Sequence, residues 1–433
     1  MLKGKSFLVN GLLVIVSIGL TFVISEFAFR TILFGNWKVA DSLRDPALYS
    51  DYFTDTEFEI FPDEYWMLYD LLNREYRSPE DPHPLLGWDG AFHPESYEHE
   101  DEDQIKGRRP VLLFGDSFSQ CVEAKCFEEI LNNDGAFSEQ YYFLNYGVGG
   151  YGVGQIYLLA QKVIPLYEEP IVFFGFMTRD LDRSLLKFRT GQKPYFVLDG
   201  EELELKGVPI KENNWDYVSN NRPFIISYLY RYYRNGRPSF RARDKPETQR
   251  YIRKIKSLNE KILVSAHHFL ESAILDCRFL VFSALYRGDR EWRNGFVRDV
   301  LERNNVPYLW TKDLIEQDSN YELEGLGFYE DGNNGHPTTY QNELIAGEIL
   351  KCLTDPDYPA TLDEKNHERY TEIKDQFDPT KRAYYEYRMG KNPDWLKTLE
   401  EKALAEKVPL EDIIREDIEF LIGQYKESQS LSH

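Results

Sequence analysis

The chain has 433 residues, enough for one large domain or two ordinary ones, and its aromatic load of 30 Tyr, 28 Phe and 7 Trp excludes wholesale disorder. A net charge of −22 repels phosphate backbones, which excludes general nucleic-acid binding. Four cysteines without a CxxC pair supply neither a disulfide framework nor a zinc site, although Cys121 and Cys126 could bridge in an oxidising compartment.

At the N-terminus, Met1 to Lys5 precedes twenty residues, Ser6 to Ser25, that carry no charge. At ~1.5 Å per residue, a helix of that length crosses a hydrocarbon core of ~30 Å. A cleaved signal peptide and a buried core helix are the rival readings. Against the first, no small-x-small cleavage site follows, because the run continues into Ser25-Glu-Phe-Ala-Phe-Arg30. Against the second, a terminal core helix with a basic head is unusual. The expectation is an uncleaved single-pass anchor within residues 1–30. Lys3 and Lys5 before the span nearly balance Arg30 and Lys38 after it, so the positive-inside rule discriminates little. The short leading tail places the N-terminus in the cytoplasm and the acidic bulk outside the cytoplasmic membrane.

Residues 31–107 form an aromatic-rich, acidic, irregular segment that contains the rigid loop Asp81-Pro-His-Pro-Leu-Leu-Gly-Trp-Asp89. From 108 to 354 short apolar runs alternate with helical stretches. The predicted strands are Arg109–Phe114, Tyr142–Asn145, Pro170–Phe176, Arg278–Ser283 and Val306–Trp310. The predicted helices are Phe118–Leu131, Val153–Pro165, 247–275, Trp292–Asn304 and Gln341–Leu350. Strands that are apolar on both faces and alternate with helices argue for a parallel α/β sheet covered on both sides.

An insertion at about 188–245 interrupts this pattern. It opens with a predicted hairpin around Asp199-Gly200 and continues into a basic island of Arg222, Arg231, Arg234, Arg237, Arg241, Arg243 and Lys245. That island reads as a solvated helix face or as a contact for anionic headgroups or an acidic polymer. Residues 355–433 are charged and Glu-rich. An apolar stripe of Trp395, Leu396, Leu399, Ala403, Ile413 and Ile414 makes them a small helical appendage, with a surface available to a protein partner.

Three motifs carry chemistry. Gly115-Asp116-Ser117-Phe-Ser119 directly follows the first strand, and a serine there lies at the carboxyl edge of a parallel sheet, where open α/β folds bind ligands. The motif also opens the predicted helix, whose N-terminus offers unpaired N–H groups and positive potential to a developing negative charge. The alternative is an ordinary Asp-Ser N-cap pair. Asn145-Tyr-Gly147-Val-Gly149-Gly150-Tyr-Gly152 follows the second strand, and its glycines expose backbone N–H groups suited to an oxyanion. No lysine follows, so it fits neither P-loop nor dinucleotide patterns. Asp331-Gly-Asn333-Asn-Gly-His336-Pro-Thr precedes the last helix, and a histidine held between glycine and proline suits a general base for serine.

Taken in order, GDSFS, NYGVGG and GHP resemble the motifs of the SGNH (GDSL-like) hydrolase superfamily over Pro110 to Leu350. The segments Glu26-x-x-x-Arg30, Pro84-Leu-Leu-Gly-Trp88 and Lys193-Pro-Tyr-Phe-Val-Leu198 resemble membrane-anchored bacterial members associated with envelope polysaccharides. The resemblance implies a flavodoxin-like parallel sheet with helices on both faces. It further implies Ser117 as nucleophile, His336 as base, and the N–H groups of Gly150 and Ser117 as oxyanion donors. The expected substrate is an acyl ester, acetyl by preference, of an extracytoplasmic glycan, either hydrolysed or transferred to a sugar hydroxyl. No cofactor or metal is implied.

Two departures bear on activity. Arg179 stands where the family has an oxyanion asparagine, and its fixed charge and fork differ from an amide. Asn333 stands where the family has the acid three residues before the histidine. Either the loop bulges to bring Asp331 to His336, or a neutral partner orients the imidazole. The competing function is a catalytically reduced scaffold that binds glycan or an assembly partner through the same cleft.

Overall fold

The computed structural model describes residues 2–35, 37–54, 59–73, 82–122, 124–200, 202–236, 246–273, 276–282, 292–316, 336–354, 381–390 and 393–430. The chain divides into two compact units.

The larger unit comprises Asp89–Leu185, Tyr195–Leu205 and Ile252–His433. Its five sheet strands are β1 (Arg109–Gly115), β2 (Tyr141–Gly147), β3 (Ile171–Met177), β4 (Asp276–Phe282) and β5 (Tyr308–Trp310). All pairings are parallel, in the order β5-β4-β3-β1-β2. Read from the other edge this is 2-1-3-4-5, the flavodoxin-like order that the sequence led us to expect.

The sheet is buried on both faces because the central residues of its strands are apolar in continuous runs, not at alternate positions. Val111, Leu113, Phe143, Phe173, Leu280 and Leu309 belong to one apolar cluster, together with Phe127 and Leu131 of the helix Phe127–Asn132 and Ile345 and Ile349 of the helix Thr339–Thr354. The intervening residues Leu112, Leu144, Val172, Phe174 and Phe279 are equally buried. Over them lies the helix Pro246–Ala273, whose His267 meets Phe279 edge-on. The predicted hairpin forms from Tyr195–Asp199 and Glu202–Lys206, with Gly200 at positive φ between them.

One predicted element differs. The helix expected over Phe118–Leu131 is instead a single turn, an irregular connection and a short helix, Phe127–Asn132. Cys121 adopts φ +55° and is disulfide-bonded to Cys126, which stops any helix begun at Ser117 after one turn. Three further helices, Arg382–Gly390, Pro393–Glu406 and Leu410–Ser430, share an apolar cluster of Tyr385, Met389, Leu399, Ala403, Ile413 and Ile418. Trp395 Nε1 donates to Asp417 across it at 3.0 Å.

The smaller unit comprises Met1–Trp88, Leu186–Pro194 and Lys206–Tyr251. Its first helix, Leu2–Phe34, is long and apolar enough to span a membrane, and residues 10–24 are exposed all round. Beyond them one face turns inward. Glu26, Phe29, Arg30 and Leu33, at three- and four-residue spacing, meet Tyr49, Leu68, Ile225 and Tyr228. The Pro84–Trp88 loop turns on Gly87, at φ +92°, where a Cβ would collide with the Gln192 carbonyl 2.3 Å away. The same Cβ would lie 3.4 Å from Lys193 Cα, which sets the loop against the start of the Lys193–Leu198 segment. Within the basic island, Arg231 pairs with Asp51 and Glu64, and Arg234 pairs with Asp51. These two guanidiniums are therefore committed inside the unit. Arg237, Arg241, Arg243 and Lys245 lie outside the described residues.

Candidate active site

The strand order reverses between β1 and β3, so the carboxyl end of β1 is the topological switch point, the place where open α/β sheets form a crevice. Ser117 lies two residues beyond that end, half-buried in a turn closed by Gln120 N–H donating to the Asp116 carbonyl. It does not cap a regular helix, so the helix-dipole argument made from the sequence does not hold here. The turn can sit this close to the sheet because Gly115 has no side chain: a Cβ there would fall 1.9 Å from Ser119 Oγ. Between Asp116 and Phe118 the backbone is pinned by Asp116 Oδ1, which accepts from Phe118 N–H at 2.9 Å.

The glycine loop after β2 closes one side. Val148 N–H donates to the Gly115 carbonyl, and Gly149 N–H donates to Gln120 Oε1 at 3.0 Å. A Cβ on Gly149 would lie 3.9 Å from Ser117 Cβ, which puts the loop against the serine. Gly150 follows at φ +85°. Asn145 anchors the loop from below, with its Oδ1 accepting from Gly147 N–H and its Nδ2 donating to the Ser119 carbonyl. His99 reaches the Asn145 carbonyl with Nε2 and accepts from Asp101 N–H with Nδ1. Burial lowers its pKa, which favours this neutral form.

His336 arrives from 219 residues away. Its Nε2 lies 2.9 Å from Ser117 Oγ, and its ring packs against Phe118 with centroids 5.3 Å apart. Two residues later, Thr338 and Gln341 cap the helix Thr339–Thr354 reciprocally: Gln341 N–H donates to Thr338 Oγ1, and Thr338 N–H to Gln341 Oε1. The backbone of Lys125 is held at both ends by the same helix, by Thr339 Oγ1 and by Asn342 Nδ2. Lys125 belongs to the loop that the Cys121–Cys126 disulfide closes onto the serine turn. The bridge thus ties the element carrying Ser117 to the element carrying His336. Replacing both cysteines by serine should lower the unfolding free energy by about 2 kcal/mol, the loop-closure entropy of so short a ring. Urea unfolding of the oxidised protein and of the double variant measures this, and coincident curves would show that the bridge constrains nothing.

The floor of the site is ionic. Arg183 Nη1 approaches Asp180 Oδ1 at 2.5 Å and Asp116 Oδ2 at 3.3 Å, and donates to the Tyr151 carbonyl at 2.8 Å. Both carboxylates are fully buried. Asp180 Oδ2 also accepts from Met177 N–H at the end of β3. Arg179 is half-buried beside this cluster, in the turn after β3. Behind that turn, the buried Thr178 donates its hydroxyl to Asn294 Oδ1. Asp331 and Asn333 lie outside the described residues. Gln120 and Arg183 were not singled out in the sequence, since only the turn and the meeting of three strand ends give them partners. Among the described residues, no group of three or more His, Cys, Asp or Glu side chains could hold a metal ion.

The parallel 2-1-3-4-5 sheet now carries a serine after its first strand, a glycine loop after its second, and a histidine ahead of its last helix within hydrogen-bond reach of the serine. This is a flavodoxin-like parallel α/β fold with helices against both faces of the sheet. No family model matches the sequence, and no curated protein matches it. Several solved structures are similar to it, among them the following three. A member of the lipolytic protein G-D-S-L family from Veillonella parvula is 13% identical, over 57% of this chain and 98% of its own, with a TM-score of 0.31. An acetylxylan esterase from Geobacillus stearothermophilus is 12% identical, over 57% of this chain and 94% of its own, with a TM-score of 0.32. An alpha/beta hydrolase from the metagenome of Lake Arreo, Spain, is 14% identical, over 57% and 94%, with a TM-score of 0.31.

Proposed function

We propose that the protein is a membrane-anchored serine esterase acting on acyl esters, acetyl by preference, of an extracytoplasmic glycan. The observation that carries this reading is the 2.9 Å approach of His336 Nε2 to Ser117 Oγ at the sheet's switch point. With the imidazole proton on Nδ1, the serine hydroxyl donates to Nε2. Ser117 Oγ then attacks the ester carbonyl as its proton passes to His336, and the carbonyl oxygen becomes an oxyanion. The main-chain N–H groups of Ser117 and Gly150 are the proposed donors to that oxyanion, and Asp331 is the proposed partner of the imidazole. Collapse returns the proton from His336 to the departing sugar oxygen and leaves an acyl-serine. Water attacking that ester regenerates the enzyme and makes it a hydrolase. A sugar hydroxyl attacking it makes it a transferase. None of these steps uses a metal or a cofactor.

The anchor belongs to the same proposal: residues 6–25 cross the bacterial cytoplasmic membrane once, with the N-terminus inside and the remaining chain outside. The C-terminal helices are the proposed surface for a protein partner. The deciding experiment incubates the full-length detergent-solubilised protein with p-nitrophenyl acetate and with an acetylated glycan, measuring release of p-nitrophenol and of acetate. Release above a heat-denatured control is expected. A folded protein that releases neither, yet still binds the glycan, would be the reduced scaffold, with the permanent charge of Arg179 beside the site as its cause.

A further inference from the structure

The loop between the helices Asn214–Asn220 and Tyr228–Asn235 is tied to the end of the apolar N-terminal helix by a dense set of bonds. Glu26 accepts from Ser227 Oγ at 2.7 Å and from the N–H groups of Tyr228 and Leu229 at 2.9 and 3.1 Å, capping the first turn of Tyr228–Asn235 with a negative charge. One helical turn later, Arg30 pairs with Glu26 and donates to the carbonyls of Ile225 and Ile226 at 2.8 and 3.0 Å. Arg30 also lies over the Tyr228 ring, and Arg222 over the Phe34 ring.

So held, the loop splits its apolar side chains. Ile225 turns inward and is buried against Leu33, Leu68 and Tyr228. Its neighbours Phe224 and Ile226 turn outward and are 88% and 80% exposed. Two such exposed side chains side by side on one loop would be a liability in water. Their height is what explains them. The uncharged run Ser6–Ser25 is about one bilayer core long, and Glu26 and Arg30 begin where it ends. A loop bonded to Glu26 and Arg30 therefore sits within about one helical turn of the hydrocarbon boundary. Trp37, Tyr230 and Tyr233 are exposed in the same unit, the side-chain types that gather at headgroup level.

We propose that Phe224 and Ile226 are a second membrane contact, a wedge buried at the boundary between headgroups and acyl chains beside the transmembrane helix. This rests on the reading of residues 6–25 as a span. Its consequence is that the unit carrying the wedge is not free to swivel on a single helix. The wedge works by apolar insertion: Arg231 is paired with Asp51 and Glu64 and Arg234 with Asp51, so neither is offered as a cation to headgroups.

The test is nitroxide depth measurement on the full-length protein in dioleoyl-phosphatidylcholine vesicles. Labels are placed by Ile15→Cys in the span, Phe224→Cys and Ile226→Cys in the wedge, and Glu202→Cys as a water-exposed reference. Collision with dissolved oxygen, which concentrates in lipid, is compared with collision with a water-soluble nickel chelate. The oxygen-to-nickel ratio should be several-fold higher at 224 and 226 than at 202, and highest at 15. A high ratio at 15 with ratios at 224 and 226 equal to that at 202 overturns the wedge alone. A low ratio at 15 overturns the span and the wedge with it. Insertion at 224 and 226 that appears only after adding phosphatidylglycerol would assign the contact to headgroup charge, and would also overturn the apolar wedge.

Discussion

Ser117→Ala should abolish ester hydrolysis while leaving the fold intact. The hydroxyl lost is half-buried in a solvent-facing turn, and the backbone there is held by Asp116, Gly115 and Gln120, not by the serine side chain. Urea unfolding should therefore move little, within the roughly ±0.5 kcal/mol typical of substitutions away from core and caps. Activity should fall to background, because without the oxygen nucleophile no acyl-enzyme forms. In a serine hydrolase whose nucleophile and base act as a unit, removing either costs on the order of 10^6-fold, and removing both costs little more. His336→Ala should thus equal Ser117→Ala, and the double variant should be no worse than either. A fluorophosphonate should label the wild-type protein on the peptide containing Ser117 and should label neither variant. Additive losses in the double variant would mean that the 2.9 Å approach of the two side chains is not used in the reaction. Labelling of the Ser117→Ala protein would place the nucleophile elsewhere.

How much of this was legible in the sequence depends on the range over which each feature is determined. The five strands were readable because their apolar side chains run without alternation, as in Ile171 to Met177, and such runs fit only a sheet covered on both faces. The hairpin was readable from Asp199-Gly200. Ser117 and His336 were readable from short motifs, and the sheet's topology brings them together. The turn at Ser117 was misread, because Phe118 to Leu131 has helix-compatible residues and nothing in their spacing announces a positive φ at Cys121 or a bond to Cys126. Part of the basic island was hidden for a similar reason. Charge counted along the chain does not show that Asp51 and Glu64 reach back to Arg231 and Arg234. Exposed Phe224 and Ile226 look, in sequence, like core residues beside Ile225, and only their attachment to Glu26 and Arg30 separates them from it.

The second large effect should come from Arg183, which no motif marked. Asp116 and Asp180 are both fully buried, and the Arg183 guanidinium contacts each of them. Each carboxylate also accepts one backbone N–H, from Phe118 and from Met177, so neither is left bare if the arginine goes. One N–H does not neutralise a buried charge, however, and breaking such a pair by removing one partner costs about 3–5 kcal/mol. Arg183→Met should destabilise the protein by that amount in urea unfolding. Arg183→Lys should fall between, because it keeps the charge but not the reach and fixed geometry by which Arg183 Nη1 meets both carboxylates and the Tyr151 carbonyl. Adding Asp116→Asn to Arg183→Met should recover part of the loss, since it removes one of the two uncompensated charges. The recovery, of about 0.5–3 kcal/mol, is the coupling expected for groups in direct contact. The same substitution should reach the serine, because Asp116 precedes Ser117 and pins the following amide. At a urea-free, fully folded temperature, Arg183→Met should show slower fluorophosphonate labelling per folded molecule than wild type, a change that a purely global stability effect would not produce. If Arg183→Met were instead neutral in unfolding and in labelling, the two carboxylates would have to be satisfied without it, and the arginine would be a bystander to both the fold and the serine turn.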